Sequence, residues 1–191
     1  MRRERYRRLL SHPTSPFSPL PSHHSFTVNP PSSLKILFLG TGNTARSIFA
    51  EYLIRKSSNG KFTSFSAGIK PEPQINPYVL RVLREIYRID ASDARPKSWE
   101  EFKDARLDFI ITSSEDAKTH SYNWLGNPII THWSTPDPET FSGPDQETLN
   151  HFWKVSQIIN RRVDLLCNLS FEKLDRLRLE QAVQRVGTGS P

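Results

Sequence analysis

The side chains and spacing best suited to chemistry lie in residues 40–47, with the sequence GTGNTARS. An apolar stretch, ILFL, precedes them, and a stretch with helical spacing follows. In such a strand–turn–helix unit the N–H groups of the turn converge, and the helix N-terminus adds partial positive charge. The planar guanidinium of Arg46 can hold two oxygens of the same anion. We therefore predict an oxyanion site in this loop.

The residues after this loop have the apolar spacing of an α-helix. They fall at positions i, i+3, i+4, i+7 and i+8, and they are Ala45, Ile48, Phe49, Tyr52 and Leu53. A helix here gives the loop a rigid scaffold. Capping signals predict two later helix starts: Asn76 precedes Pro77 as N-cap and first helical residue, and Ser98 forms a capping box with Glu101.

Short apolar stretches alternate with helical stretches along the chain, which is typical of a parallel α/β fold. Four strands are predicted, the first from Lys35 and the others over residues 62–66, 108–112 and 129–132. We therefore expect an α/β three-layer sandwich with a four-stranded parallel sheet. Ligands of such sheets bind at the carboxyl ends of the strands, where loop 40–47, Ser114 and Asp137 would meet.

The C-terminal part of the chain predicts two further helices. Apolar residues are spaced for burial over residues 147–168, which indicates one long helix. Residues 171–186 form a last amphipathic stretch, and Gly187 follows it as a common type of C-terminal cap. Residues 114–127 are predicted as a loop with some helical character.

The composition narrows the function classes. The chain has 191 residues, and no apolar run approaches the roughly 18 to 20 residues that a membrane span needs. Cys167 is the one cysteine in the sequence, so no intramolecular disulfide is possible, which fits a reducing, cytoplasmic location. We interpret it as a small core residue. The six histidines lack metal-ligand spacing, and we predict neither a metal nor a cofactor.

Residues 1–33 differ in composition from the rest. They contain five arginines, one acidic residue and six prolines without apolar periodicity, and we expect a disordered basic tail followed by one domain over residues 34–187. A transit peptide, a short basic surface helix or a start codon placed too early are the alternatives. The remaining residues are close to neutral, so we expect no nucleic-acid binding by the domain.

The glycines of the loop also fit a dinucleotide-binding turn. Gly40, Gly42 and Ala45 have the required spacing, which is a weak signal alone. That fold needs an acidic residue at the end of the second strand, about 20 residues on, to hold the ribose. No Asp or Glu occurs between Glu51 and Glu72, so nicotinamide binding is disfavoured.

The sequence resembles the low-molecular-weight tyrosine phosphatases and the arsenate reductases of the same fold. Many members carry CTGNSARS directly after the first strand, where this chain has GTGNTARS. Further similar motifs are SAGIKP, KSWEEF, HWSTPDP and EKLDRL, which begin at Ser66, Lys97, His132 and Glu172, together with the pair Asn76 and Pro77. The resemblance extends from Lys35 to about Gly187 and implies the low-molecular-weight phosphatase fold.

Two positions depart from the family's pattern. The resemblance places the nucleophilic cysteine at residue 40, which is glycine here. It also places a second cysteine, which resolves the arsenic adduct in related arsenate reductases, at Ser114. The residues that bind the oxyanion in the family are retained. By resemblance, Arg46 clamps the oxyanion and Asp137 is the general acid that protonates a leaving group. The resemblance also implies that Gly42 and Asn43 shape the loop and that the amides which bind the oxyanion belong to Thr41, Gly42, Asn43, Thr44, Ala45, Arg46 and Ser47.

The resemblance therefore implies a protein of this family that binds phosphate, arsenate or a phosphorylated partner but is catalytically impaired, a pseudoenzyme. Two alternatives stay open. One is an active arsenate reductase or phosphatase that uses water or an external thiol, supplied by glutathione or thioredoxin. The other is a non-catalytic interaction protein in which the loop is vestigial.

Overall fold

Four parallel strands form the centre of the computed structural model, which describes residues 33–120, 122–171 and 175–189. The strands are β1 (Leu34–Gly40), β2 (Phe62–Gly68), β3 (Phe109–Thr112) and β4 (Ile129–His132). Their order in the sheet is β2-β1-β3-β4. This arrangement confirms the predicted four-stranded parallel sheet.

The strand register brings the carboxyl ends of the strands together. Gly40 lies opposite Gly68 on β2, Leu39 lies opposite Thr112 on β3, and Thr112 lies opposite His132 on β4. The loop that follows β1 therefore emerges beside the ends of its two neighbours. This is the edge at which parallel α/β sheets bind ligands.

Helices and short helical turns connect the strands. The α-helices are α1 (Arg46–Ser57), α2 (Pro77–Arg81), α3 (Glu115–Thr119), α4 (Asp145–Cys167) and α5 (Arg176–Thr188). A π-helical turn, Val82–Ile86, continues α2 directly, and 3₁₀ turns span Trp99–Phe102 and Pro138–Thr140. The Asn76 side chain accepts a hydrogen bond from the Tyr78 N–H at 3.1 Å, which confirms the predicted helix cap.

Both faces of the sheet are covered, because β1 has buried side chains on each. Ile36 and Phe38 belong to the main core, which also includes apolar residues of α1, α4 and α5. Leu37 and Leu39 belong to a smaller core on the other face, which the 3₁₀ turn Trp99–Phe102 and α3 help to cover. The molecule is therefore an α/β sandwich with layers on both sides of the sheet.

The prediction for the end of the last helix is wrong. Gly187 lies inside α5, and the cap is Gly189, which has the left-handed φ of 70°. A Cβ at Gly187 would lie 2.6 Å from the carbonyl oxygen of His132, so glycine is needed there because the helix packs closely against β4. The long helix α4 begins at Asp145, two residues before the predicted start.

The predicted disordered tail over residues 1–33 lies outside the described residues, except for Ser33. Among the helices that are described, none is long and apolar enough to cross a membrane. Within the same residues, no group of three or more His, Cys, Asp or Glu side chains is placed to hold a metal ion.

Candidate functional site

Loop 40–47 connects the end of β1 to the first turn of α1, and it surrounds a cavity of about 340 Å³. Every predicted oxyanion-binding residue lines this cavity: Thr41, Gly42, Asn43, Thr44, Ala45, Arg46 and Ser47. Gly40, Glu72, Ser113, Asp137 and Glu139 complete the lining. The structure thus brings Arg46 and Asp137, 91 residues apart in sequence, to the same cavity.

Backbone hydrogen bonds from residues outside the loop fix the orientation of its peptide groups. The carbonyl oxygens of Gly40, Thr41 and Gly42 accept hydrogen bonds from the N–H groups of Ile69, Lys70 and Glu72, and that of Thr44 accepts from Asn76. N–H and C=O point in opposite directions in a trans peptide, so these bonds turn the amides of residues 41, 42, 43 and 45 away from residues 69–76. The N–H groups of residues 41–47 donate no hydrogen bond to any described residue.

Asn43 holds the loop in shape. Its backbone has a left-handed φ of 56°, a conformation that asparagine tolerates better than most residues. The Nδ2 atom donates to the hydroxyls of Ser47 and Ser66 at 3.0 and 2.9 Å, and Oδ1 accepts from the Lys97 N–H at 2.8 Å. Because the side chain is almost fully buried, these bonds form without competition from water.

A buried carboxylate lies behind Asn43. Glu51, on α1, is 4% exposed and accepts a hydrogen bond from the Ser66 hydroxyl. Two cations compensate its charge: Arg55 Nη2 lies 2.8 Å from Oε1, and Lys97 Nζ lies 3.2 Å from Oε2. The chain of bonds from Glu51 through Ser66 to Asn43 connects the first helix, the second strand and the loop.

Arg46 and Asp137 form an ion pair at the mouth of the cavity. Arg46 Nη2 lies 2.6 Å from Asp137 Oδ2, and Nη1 donates to the Thr135 carbonyl oxygen at 3.3 Å. The other oxygen of Asp137, Oδ1, accepts from the Glu139 N–H at 3.1 Å and caps the 3₁₀ turn Pro138–Thr140. The carboxylate therefore both orients Arg46 and occupies part of its hydrogen-bonding capacity.

Threonines connect the loop to acidic side chains at the rim. Thr41 Oγ1 donates to Ser114 Oγ at 3.0 Å and lies 3.4 Å from Asp116 Oδ2. On the other side, Thr44 Oγ1 donates to Glu139 Oε2 at 2.5 Å. Carboxylates around an anion site oppose the charge of the ligand, so the amides and Arg46 must supply the attraction.

The backbone conformation at residue 40 does not require glycine. Its φ is not positive, and a Cβ added there would meet nothing closer than 3.4 Å, at Ser47 Oγ and Ser113 Oγ. Gly68, beside it on β2, is the opposite case: a Cβ would lie 2.6 Å from the Thr41 carbonyl oxygen. The fold therefore accommodates a larger side chain at residue 40 but not at residue 68.

Comparisons with known proteins identify the family. Residues 35–181 match the family described as low molecular weight phosphotyrosine protein phosphatase. The chain belongs to this family. An arsenate reductase of Halalkalibacterium halodurans is 29% identical over 128 residues, covering 67% of this chain and 91% of the relative. One of Bacillus licheniformis is 29% identical over 132 residues, covering 69% and 94%.

Solved structures agree with this assignment to the low molecular weight phosphatase family. The crystal structure of an arsenate reductase from Archaeoglobus fulgidus has 26% sequence identity and a TM-score of 0.56, covering 70% of this chain and 99% of that one. The predicted resemblance to the phosphatases and arsenate reductases and the predicted fold are both confirmed.

The structure also places Ser114 and Cys167, two further residues from the sequence analysis. Ser114 accepts a hydrogen bond from the Ala117 N–H and is the N-cap of α3. Cys167 ends α4, packs against the main core and is only partly exposed. Burial raises the pKa of the Cys167 thiol to about 11, so the thiolate is scarce at neutral pH.

Sequence reasoning missed two residues of the site. Glu139 and Glu72 reach the cavity through folding, and no local motif marks them as rim residues. From the sequence, Ser113 is equally well explained as a ligand contact or as part of a strand-to-helix cap, and its contact with the space above Gly40 depends on how β1 and β3 pair. The signal that was available, the serine at the carboxyl end of a central strand, is too common to be specific.

Proposed function

We infer that this protein binds a tetrahedral oxyanion, phosphate, arsenate or the phosphoryl group of a partner, in loop 40–47 without the covalent step of thiol-dependent relatives. The observation that carries this proposal is the set of four loop carbonyls bonded to residues 69–76, which turns the amides of residues 41, 42, 43 and 45 away from that segment and leaves them without a partner among the described residues. Such an arrangement, beside a helix N-terminus and an arginine, is suited to an anion.

The absence of a thiol at residue 40 supports the proposal that catalysis is impaired. Residue 40 has no side chain, and the resemblance places the family's nucleophile there. Ser114, which occupies the position of the resolving cysteine, serves as a helix cap. Cys167 belongs to the core at the other end of α4 and has a raised pKa. Oriented amides and Arg46 alone leave at most a small residual rate, because the nucleophile is the largest single loss.

The choice between phosphate and arsenate is left open by the chemistry of the site. Both are tetrahedral oxyanions with similar charge, and amide donors with one guanidinium recognise oxygen atoms rather than the central atom. The relatives named arsenate reductase make arsenate the first anion to test beside phosphate.

Binding is the direct test. Titration calorimetry with phosphate and with arsenate should give saturable binding to the unaltered protein, and Arg46→Ala should weaken it at least about tenfold, since a charge-assisted bond to an anion contributes ~1.5–3 kcal/mol. Arg161→Ala is the matched control, because it removes the same charge from an exposed position on α4. Equal binding by both variants, or none by the unaltered protein, would refute the proposal and favour a vestigial loop.

Turnover is the second test. The unaltered protein is assayed with an aryl phosphate and with arsenate, with and without glutathione or thioredoxin. We expect little or no turnover in any combination. Turnover that is lost in Arg46→Ala would mean that the family's chemistry survives with an external nucleophile.

A further inference from the structure

Two buried hydroxyl groups line the space above Gly40. A Cβ at this residue would lie 3.4 Å from both Ser47 Oγ and Ser113 Oγ, and all three residues border the loop cavity. Ser47 is 2% exposed and Ser113 is 8% exposed. The space is therefore polar, continuous with the cavity and large enough for at least one further heavy atom.

The two hydroxyls have complementary hydrogen-bonding roles. Ser47 Oγ accepts from Asn43 Nδ2, and its own hydrogen has no acceptor among the described residues. Ser113 Oγ donates to the carbonyl oxygen of Leu39 at 3.2 Å, so its lone pairs remain available as acceptors. Together they offer one donor and one acceptor, which suits a small nucleophile that carries a single hydrogen.

We propose that Gly40, Ser47 and Ser113 form a seat for a small external nucleophile, with hydrosulfide as the chemical class, that attacks a phosphoryl group held by the loop. The inference rests on the proposed anion binding. The seat adjoins the first turn of α1, whose N-terminus stabilises an anionic sulfur in the same way as it stabilises a thiolate. The Ser47 hydroxyl would donate to that sulfur.

The reaction is a transfer between two nucleophiles and needs no oxidant or reductant. Hydrosulfide attacks the phosphorus of p-nitrophenyl phosphate, so an S–P bond forms while the P–O bond to the aryl group breaks. The electron pair of that bond leaves with p-nitrophenolate, which needs no proton to depart. The products are p-nitrophenolate and thiophosphate.

The unaltered full-length protein is incubated with p-nitrophenyl phosphate, with and without millimolar sodium hydrosulfide, and thiophosphate is measured by ³¹P NMR. We expect hydrosulfide to raise turnover about 10- to 100-fold above the sum of the protein-free and hydrosulfide-free rates, because the seat orients a nucleophile that is otherwise free in solution. Excess phosphate should suppress this turnover by competing for the loop.

Variants separate the seat from the loop. Gly40→Ala puts a methyl group into the seat and should abolish the hydrosulfide-dependent rate, and Ser113→Ala removes one hydroxyl and should reduce it. Ser92→Ala, an exposed hydroxyl in another loop, is the matched control. Equal thiophosphate formation by the unaltered protein and all three variants would refute the proposed hydrosulfide seat.

Phosphate binding, measured in parallel by calorimetry, distinguishes the two proposals. Unaltered protein that binds phosphate but forms no hydrosulfide-dependent thiophosphate refutes the seat and leaves the anion-binding function intact. Unaltered protein that binds no phosphate refutes both. If Gly40→Ala fails to fold, the Ser113→Ala variant tests the seat instead. A Ser113→Ala protein that keeps both its phosphate affinity and its hydrosulfide-dependent rate would contradict a role for the Ser113 hydroxyl.

Discussion

At the scale of single residues, the proposal of anion binding without covalent chemistry depends on position 40. The amides, Arg46 and Asn43 shape the loop whether or not residue 40 has a side chain, because none of their contacts involves one. The nearest atoms to a Cβ at this position are two hydroxyl oxygens at an ordinary contact distance. A side chain added here is therefore compatible with the observed backbone.

Gly40→Cys should restore phosphatase activity toward an aryl phosphate. The new thiol would stand at the N-terminus of α1 among loop amides, which lowers the pKa of a thiol and makes it nucleophilic. Release of p-nitrophenol from p-nitrophenyl phosphate measures the effect, with Gly40→Ser as the control of similar size. A folded Gly40→Cys protein without activity would count against an intact loop.

The Gly40→Cys variant contains two thiols, the introduced one and Cys167, whose reactivities can be compared in one protein. Cys167 has its pKa raised from 9.0 to about 11 by burial, which lowers the thiolate fraction at pH 7 about 100-fold relative to an ordinary thiol. Iodoacetamide should therefore modify the introduced thiol long before Cys167, as peptide mapping would reveal. Thiol-coupled arsenate reduction should stay absent, because Ser114 leaves no resolving cysteine.

We expect the negative charge of Asp137 to weaken anion binding. Its carboxylate pairs with Arg46 at 2.6 Å and adds negative charge beside a bound anion. Asp137→Asn keeps an oxygen to cap the following 3₁₀ turn but removes that charge, so phosphate should bind about fivefold more tightly, equivalent to ~1 kcal/mol. Calorimetry at neutral pH measures the change, and Asp93→Asn, an acid outside the cavity, is the control. Weaker binding would mean that Asp137 mainly orients Arg46.

At the scale of elements, the loop is held by the carboxyl end of β2 and the segment after it. The N–H groups of residues 69, 70, 72 and 76 bind loop carbonyls, and Gly68 lies against the loop backbone. The site is therefore assembled from two consecutive strand ends rather than from the loop alone. Its geometry depends on the close approach of these two backbones.

Gly68→Ala should damage this assembly. The added Cβ would lie 2.6 Å from the Thr41 carbonyl oxygen and 3.0 Å from the Asn43 nitrogen, so backbone must move. We expect a loss of about 1–3 kcal/mol in the free energy of unfolding, as for other overpacked sites, together with weaker phosphate binding. Urea denaturation measures the stability. Gly40→Ala, which meets no contact below 3.4 Å, should lose much less, and equal losses would contradict the explanation.

The sequence predicts much of the site because its central part is local. Arg46, the glycines and the first helix lie within one short stretch, and a family motif recognises them. The partners of Asn43 and Thr44 are less accessible to sequence reasoning, since Ser66, Lys97 and Glu139 come from three distant segments. The resemblance pointed to Asp137, but only the structure places its carboxylate on Arg46.

At the scale of the whole molecule, the alternation of strands and helices was sufficient to predict the sheet and its layers. Gly187 shows where such patterns fail. A glycine near the end of a helical stretch can be a helix cap or a position of close packing, and the sequence does not distinguish the two. The structure does, because a Cβ at Gly187 would lie too close to the carbonyl oxygen of His132. That distance depends on how α5 docks on β4, which the local sequence does not encode.

Anion binding should stabilise the whole domain, because the loop is joined to both neighbouring strands and to α1. A ligand at 100 times its dissociation constant adds ~2.7 kcal/mol to the free energy of unfolding, which corresponds to a rise in Tm of roughly 5–10 °C for a domain of this size. Differential scanning fluorimetry with increasing phosphate measures the shift, against chloride at equal ionic strength.

The comparison with Arg46→Ala makes this test specific. Phosphate stabilises many proteins weakly by exclusion from their surface, and a chain with a net charge of +6 also responds to ionic strength. Both general effects should be nearly the same in the Arg46→Ala and Arg161→Ala variants, which carry equal charge. Binding at the loop should appear as a saturable rise in Tm that Arg161→Ala retains and Arg46→Ala loses. A rise of the same size in both variants would assign the stabilisation to the solvent rather than to the site.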